Sequence, residues 1–340
     1  MAGRVNTARR IIAALPLCLT ACATLHSSSP AAPPITITDA SRRPGLPVIL
    51  VVLPVTTETY DVWRGLRDEL GDDYDIVTLH FDATTTPQGI GNAIAATHPR
   101  CVVLMNNPTV RAYEQWQHAS TATGFPPTVV LMASFLSDLN GRIANAAGIA
   151  YEVPAITMFV NMRSFLDRPT RRIGVVYRQP LHTFIENQRT LAAIENIELV
   201  PFAVGAHPST RELDSALRRL RAAKVDAIWV PNDNGLFATR DQLVHAWLPN
   251  LKAAKLPVAV GVRALVNAKV PFGTFAVVPD HEAMGVQAAN MIVDLASSGW
   301  HADGKVALPV SVKTILNVPL ARELYRLRED QVSRLDFVVQ

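Results

Sequence analysis

The chain has 340 residues, 49% of them hydrophobic and 18% charged, enough apolar material for one large or two medium folded domains. Its formal charge of +3 equals the contribution of Arg4, Arg9 and Arg10, so the remainder is balanced and gives no electrostatic case for nucleic acid or an anionic membrane face. Two of the three cysteines, Cys18 and Cys22, lie near the start; Cys101 alone remains in the body, which excludes an internal disulfide there.

The first element is the apolar run from Ile11 to Leu25 behind Arg9 and Arg10. A bilayer-spanning helix needs roughly 20 apolar residues, so this run reads as a secretory signal. Leu19-Thr20-Ala21-Cys22 resembles the lipobox of bacterial lipoproteins. That resemblance implies a signal peptide over 1–21 and acylation of Cys22 with fatty acids such as palmitate. It also implies a mature chain of 340 − 21 = 319 residues held at the periplasmic side of the envelope. Inner and outer membrane both stay open, since Ala23 is not the aspartate that retains many such proteins at the inner one. Residues 22–46, with "SSSPAAPP" inside them, read as a flexible tether.

A strand-helix alternation follows. "PVILVVLP" (47–54) is a strand and "ETYDVWRGLRDELG" (58–71) a helix, with Trp63, Leu66 and Leu70 on one face. Next come the strand "DIVTLHF", the helix "PQGIGNAIAATH", the strand "CVVLMN", the helix "PTVRAYEQWQHA" and the strand "TVVLMAS". Runs apolar on both faces suit strands buried on both sides of a parallel sheet. The pattern then restarts: a helix over 154–166, the strand "RRIGVVY", the helix "LHTFIENQRTLAAIEN", the strand "IELVPF" and the helix "STRELDSALRRLRAA". The strand "VDAIWVPN", a long helix from about 237 to 254, the strands "LPVAVG" and "FGTFAV", a helix over 280–298 and a strand region near 306–316 complete it. Two such sets of similar length predict two α/β domains; the alternation does not give the topology within each sheet.

Familiar chemical signatures are missing. The first loop, "LPVTTET", has no glycine, so the dinucleotide fingerprint is absent. There is no phosphate-binding G-x-x-x-x-G-K-[ST] loop and no G-x-S-x-G nucleophile elbow. "HEAMG" at 281–285 lacks the second histidine of a zinc site, and none of the nine histidines pair at i, i+4. No enzyme, cofactor or metal is expected. Ligands of open parallel sheets bind beyond the carboxyl ends of the strands. Those ends carry Thr56 and Thr57, Asn106 and Asn107, Ser134 and Phe135, Tyr177 with Arg178, Asn232, Asp233 and Asn234, and Arg263. Together they suit a pocket for a small molecule; singly, each also suits a turn or a helix cap.

"VDAIWVPNDNGLF", "LPVAVGVRALVNAKVPFGTFAV", "DHEAMGVQAANMIVDL" and "TILNVPLAREL" are similar to the ABC-transporter substrate-binding family typified by tryptophan- and tyrosine-binding lipoproteins. The resemblance runs from about Val48 to Leu327. It implies a type I periplasmic-binding fold, an α/β chain of two doubly wound parallel-sheet lobes joined by a three-strand hinge, with lobe 1 expected over 47–165 and completed by about 278–300, lobe 2 over 166–277, and 301–340 packing across the hinge. It also implies an amino-acid-like or other small organic solute held between the lobes, and delivery to an ABC permease. It places the family's acid and amide on Asp233 and Asn234, and structural roles on Gly285 and Asn317. Asp233 is thereby expected to accept hydrogen bonds from a ligand ammonium group; the competing role is a cap for the helix starting near Gly235–Phe237. The chain departs from the family at Val55-Thr56-Thr57-Glu58, at "ASFLSDLN" and at "GRIANAAGIAYEVP". Two other uses of the fold stay open: a ligand-sensing accessory module for an envelope complex, and an envelope enzyme.

Overall fold

The computed structural model describes residue 43 and residues 45–339, apart from 123, 137, 138, 140, 168 and 268. The signal, Cys22 and most of the tether lie outside the described residues. The chain begins β1 (Val48–Leu53), α1 (Thr57–Leu70), β2 (Asp75–His80), α2 (Pro87–Thr97), β3 (Cys101–Met105), α3 (Asn107–Ala119), β4 (Thr128–Leu131) and β5 (Ala146–Ile149). It continues with α4 (Ala155–Phe165), β6 (Arg172–Arg178), α5 (His182–Ile194), β7 (Glu198–Val204), α6 (Thr210–Ala222), β8 (Ala227–Val230), α7 (Leu248–Ala254), β9 (Val258–Val260) and β10 (Phe275–Pro279). It ends with α8 (His281–Ser297), β11 (Val306–Ala307), β12 (Val312–Asn317), α9 (Val318–Leu324), α10 (Glu329–Val332) and β13 (Phe337–Val339).

Two sheets result, ordered β11-β5-β4-β3-β1-β2 and β13-β12-β10-β9-β8-β6-β7. Every pairing is parallel except β10 with β12. The alternation of side chains explains why β1 is apolar throughout. Ile49, Val51 and Leu53 enter the core under α1 and α8, while Leu50 and Val52 enter the core under α2 and α3. Cys101 is fully buried in the first of these cores, and burial pushes its thiol up to about 12, as for an inert packing residue.

The chain passes between the sheets three times: between β5 and α4, between β10 and α8, and between β11 and β12. α8 and β11 therefore complete the first lobe, whereas β12 and β13 extend the second sheet. The boundary expected at 165 shifts to the 150–154 crossover. Met158, Phe159, Met162 and Phe165 of α4 are buried in the second sheet's core, where Phe159 meets Trp229 and Phe165 meets Phe275.

Several elements differ from the sequence reading, which named none after the strand region near 306–316, where α9, α10 and β13 form. β5 was missed because "AAGI" has one β-branched residue; pairing with β4 and β11 makes it a strand. The expected long helix from about 237 to 254 runs continuously over 240–254, with a π-helical turn (Gln242–Trp247) leading into α7, and a separate 3-10 turn (Asn234–Phe237) precedes it. Pro249 cannot donate the backbone bond that a regular helix requires, and the wide turn sits just before it. The strand region near 306–316 is two strands in different sheets, parted at Pro309.

A candidate ligand cleft between the lobes

The carboxyl ends of β1, β3 and β4 in one lobe, and of β6, β8 and β9 in the other, carry the loops singled out above. Thr56 is the N-cap of α1: its hydroxyl accepts from Thr59 N and its own N–H donates back to the Thr59 hydroxyl. Thr57, the first residue of α1, is exposed. Asn106 caps α3 by accepting from Thr109 N, with φ at +86° and ψ at 164°, a backbone conformation rarely adopted by residues other than glycine.

A chain of polar contacts joins the lobes. Asn107 Oδ1 accepts from Ser134 N at 3.0 Å, and Ser134 Oγ accepts from Asn232 Nδ2 at 3.3 Å. Beside it the Phe135 ring, on a backbone at φ +60°, packs edge to face against Phe184 of α5 with centroids 5.1 Å apart. Phe135 N donates to both carboxylate oxygens of Glu152 at 3.1 Å. Glu152 stands on the first crossover; burial raises its pKa, against the backbone and Ser134 hydrogen bonds that favour the charged form. The sequence reading missed Glu152 and Phe184. "YEVP" looked like a remnant of a glycine-rich connection, and α5 like an ordinary covering helix.

The other expected residues make contacts of their own. Asp233 is buried; its oxygens pair with Arg178 Nε at 2.7 Å and Nη2 at 2.6 Å, and Oδ1 also accepts from Gly235 N. It thus caps the 3-10 turn while neutralising Arg178, whose pKa is raised by those bonds. Arg178 Nη1 reaches Ala206 O at 2.7 Å. Tyr177 turns into the core of the second lobe, its hydroxyl 3.0 Å from His182 Nδ1. Asn234 is exposed, and the exposed Arg263 lies over the Phe337 ring at 4.7 Å. Among the described residues no group of three metal-ligating side chains occurs, and no helix is long and apolar enough to cross a membrane. A surface depression of about 770 Å³, lined by Pro169, Arg171, Arg172, Asn196, Glu198 and Asp226, sits at the opposite ends of β6, β7 and β8. There Arg172 pairs with Glu198, and the Arg171 and Arg172 amides donate to Asp226.

Two parallel-sheet lobes with three crossovers define the type I periplasmic-binding fold, and solved structures share it. A domain crystallised in complex with L-Trp, from Streptococcus pneumonia, is 22% identical at a TM-score of 0.57, over 86% of this chain and 100% of that one. A conserved domain protein from Vibrio cholerae is 19% identical at 0.56, over 86% and 99%. A ligand-free, open substrate-binding protein with adhesive properties from Clostridium difficile is 15% identical at 0.60, over 82% and 95%. No curated protein matches the sequence. Residues 124–339 match the family described as ABC transporter substrate binding protein, and the chain belongs to that family.

Proposed function

We propose that this protein is a lipid-anchored binding protein of the cell envelope that holds a small organic solute between its lobes and delivers it to an ABC permease. The Asn107–Ser134–Asn232 chain carries the reading: polar groups from the carboxyl ends of strands in both sheets meet at one place. A solute gripped from both sides favours the closed arrangement by the contacts it makes only there. The absent catalytic signatures and the family favour binding without turnover. The lipobox-like Leu19-Thr20-Ala21-Cys22 supports anchoring through acyl chains on Cys22.

The test uses the full-length protein purified from its own envelope. The expected outcome is recovery in the membrane fraction, release to the soluble fraction on Cys22→Ala, and a co-purified small molecule identified by mass spectrometry. Removing and restoring that molecule should open and close the lobes, read as a change in the radius of gyration by small-angle scattering. A chain that carries no solute and keeps one radius would refute the binding reading; equal membrane retention by the Cys22→Ala variant would refute the anchor.

A further inference from the structure

The balance of charge over the whole chain conceals a division between the lobes. In the second lobe, residues 154–279 and 310–340, Lys and Arg outnumber Asp and Glu by 21 to 13. In the first, residues 47–153 and 280–309, they are outnumbered by 15 to 6. Such an asymmetry between halves of a near-neutral chain argues for an oppositely charged partner. Part of the basic excess gathers at the second lobe's pole away from the cleft, where α6 and α7 end and β6, β7 and β8 begin. A groove of about 360 Å³ lies there between the two helix ends, lined by Arg218, Arg221, Ala222, Ala253, Ala254 and Leu256. Lys224, Lys252 and Lys255 flank these residues in sequence, and all five cations are exposed. Helix ends attract cations on their own, since the carbonyls of the last turn carry partial negative charge. That account fails for the first lobe, where α1 closes on Asp68, Glu69, Asp72 and Asp73, exposed carboxylates at the end that disfavours them. The charges are sorted by lobe, not by helix end.

We infer that the exposed cations at the ends of α6 and α7 form a docking surface for an anionic lipid bilayer, setting the second lobe against the membrane and the first away from it. The inference rests on the envelope-anchored reading for the presence of a bilayer, not for the charge. Each Lys or Arg held near an anionic leaflet is attracted to it; several add together, and salt screens them. Between the cations the floor is alanine and leucine, with no acidic side chain among the lining residues. Asp214, the last acid of α6, is engaged by Arg218 and by Asn250. An acidic protein would have to match the contour of this pole, whereas a fluid leaflet adapts to it. The tether joins the body at the opposite pole, where Arg43 pairs with Asp72. The 25 residues from Cys22 to Leu46 reach at most about 90 Å, against a radius of gyration of about 19 Å for a compact chain of this size. An anchor joined to the first lobe therefore leaves the second free to face the bilayer.

The experiment uses the mature chain from Cys22 to Gln340, with Cys22→Ser so that no acyl chain contributes. Its partition is measured by sedimentation with vesicles of phosphatidylcholine alone, or of phosphatidylcholine mixed equally with phosphatidylglycerol. Binding to the mixed vesicles is expected to exceed binding to phosphatidylcholine at least about tenfold, and to fall at least about tenfold when salt is raised to about 0.5 M. Arg221→Glu with Lys252→Glu, one on each helix of the groove, should weaken it at least about tenfold. Arg189→Glu with Arg211→Glu makes the same change in charge at exposed positions of α5 and of the cleft end of α6, and should weaken it less than about threefold. Melting temperatures show that each variant is folded. Should the first pair not fold, Arg221→Gln with Lys252→Gln removes the charges without reversing them and should still weaken binding at least about threefold. The inference is overturned if the two kinds of vesicle bind alike, if salt leaves binding unchanged, or if the two pairs of Glu substitutions weaken it equally. Binding of polyglutamate without binding of anionic vesicles would also overturn it and assign the surface to an acidic protein. Because this chain carries no lipid, the outcome does not depend on acylation, which membrane fractionation of Cys22→Ala decides separately.

Discussion

Asp233 makes scaffold contacts at the position where the resemblance expects a ligand group. Its two oxygens are filled by Arg178 and by Gly235 N, and its side chain is 3% exposed against 21% for Arg178. Replacing it with Asn keeps the cap acceptor but leaves the guanidinium unpaired. Removing one partner of a buried pair costs roughly 3–5 kcal/mol; water reaches part of Arg178, so the loss for Asp233→Asn should be about 2–3 kcal/mol. Denaturant unfolding of the solute-free protein reads this directly, and a variant within about 0.5 kcal/mol of wild type would show that the pair carries little. The position of Asp233 beyond a strand was legible in "VPNDNG"; its partner was not. Arg178 lies 55 residues earlier, and the two meet because β6 and β8 are neighbours, an order that apolar periodicity does not encode. Glu152 was illegible for the same reason. Its neighbours Ser134 and Phe135 come from a different loop, and a lone acid in "YEVP" carries no pattern.

Among the elements, α1 and α8 form the tightest junction. A Cβ built on Gly285 would lie 2.1 Å from Val62 O, and one on Gly65 would lie 2.2 Å from Glu282 O. The helices cross where each offers a bare backbone to the other. On an exposed helix Gly→Ala stabilises by about 1 kcal/mol. At this crossing Gly285→Ala should instead destabilise by about 1–3 kcal/mol, because the neighbouring atoms are backbone and cannot turn aside. The sign of the change in melting temperature decides between the two, and a rise would mean that the helices part at little cost. Helix α1 itself was legible in the spacing of Trp63, Leu66 and Leu70, and all three are buried. The 3-10 and π turns before α7 were not, since their geometry answers to Pro249 and to the Gln242 amide, which donates to Pro208 O and accepts from Thr239 N.

At the scale of the whole molecule, the crossovers hold one another. Tyr151 on the first lies 3.2 Å by its hydroxyl from His281 Nε2 after the second, with rings parallel to within 2° and centroids 5.9 Å apart; Lys313, just past the third, pairs with Asp280. Burial lowers the His281 pKa, with Lys313 acting in the same direction and Glu58, Asp61 and Asp280 opposing it. The folded protein therefore binds the His281 proton less well than the unfolded chain. Stability from this source is complete above the unfolded value of about 6.5 and is lost as pH falls toward the lower folded value. Melting temperatures measured from pH 7.5 to 5.5 should fall, and His281→Gln should flatten that slope; an unchanged slope would remove His281 from the account. The two-lobed plan was legible because strand-helix sets recur in order. The allegiance of α4 was not, because adjacency along the chain favoured the first lobe while its buried aromatic face fits the second. The threading also sets a schedule for biosynthesis. The bare-backbone seam on α1 waits about 220 residues, from Gly65 to Gly285, for the helix that covers it. At roughly 5–20 residues per second that is about 10–45 s of translation. Through that interval α1 lacks the helix that buries its face in the finished fold.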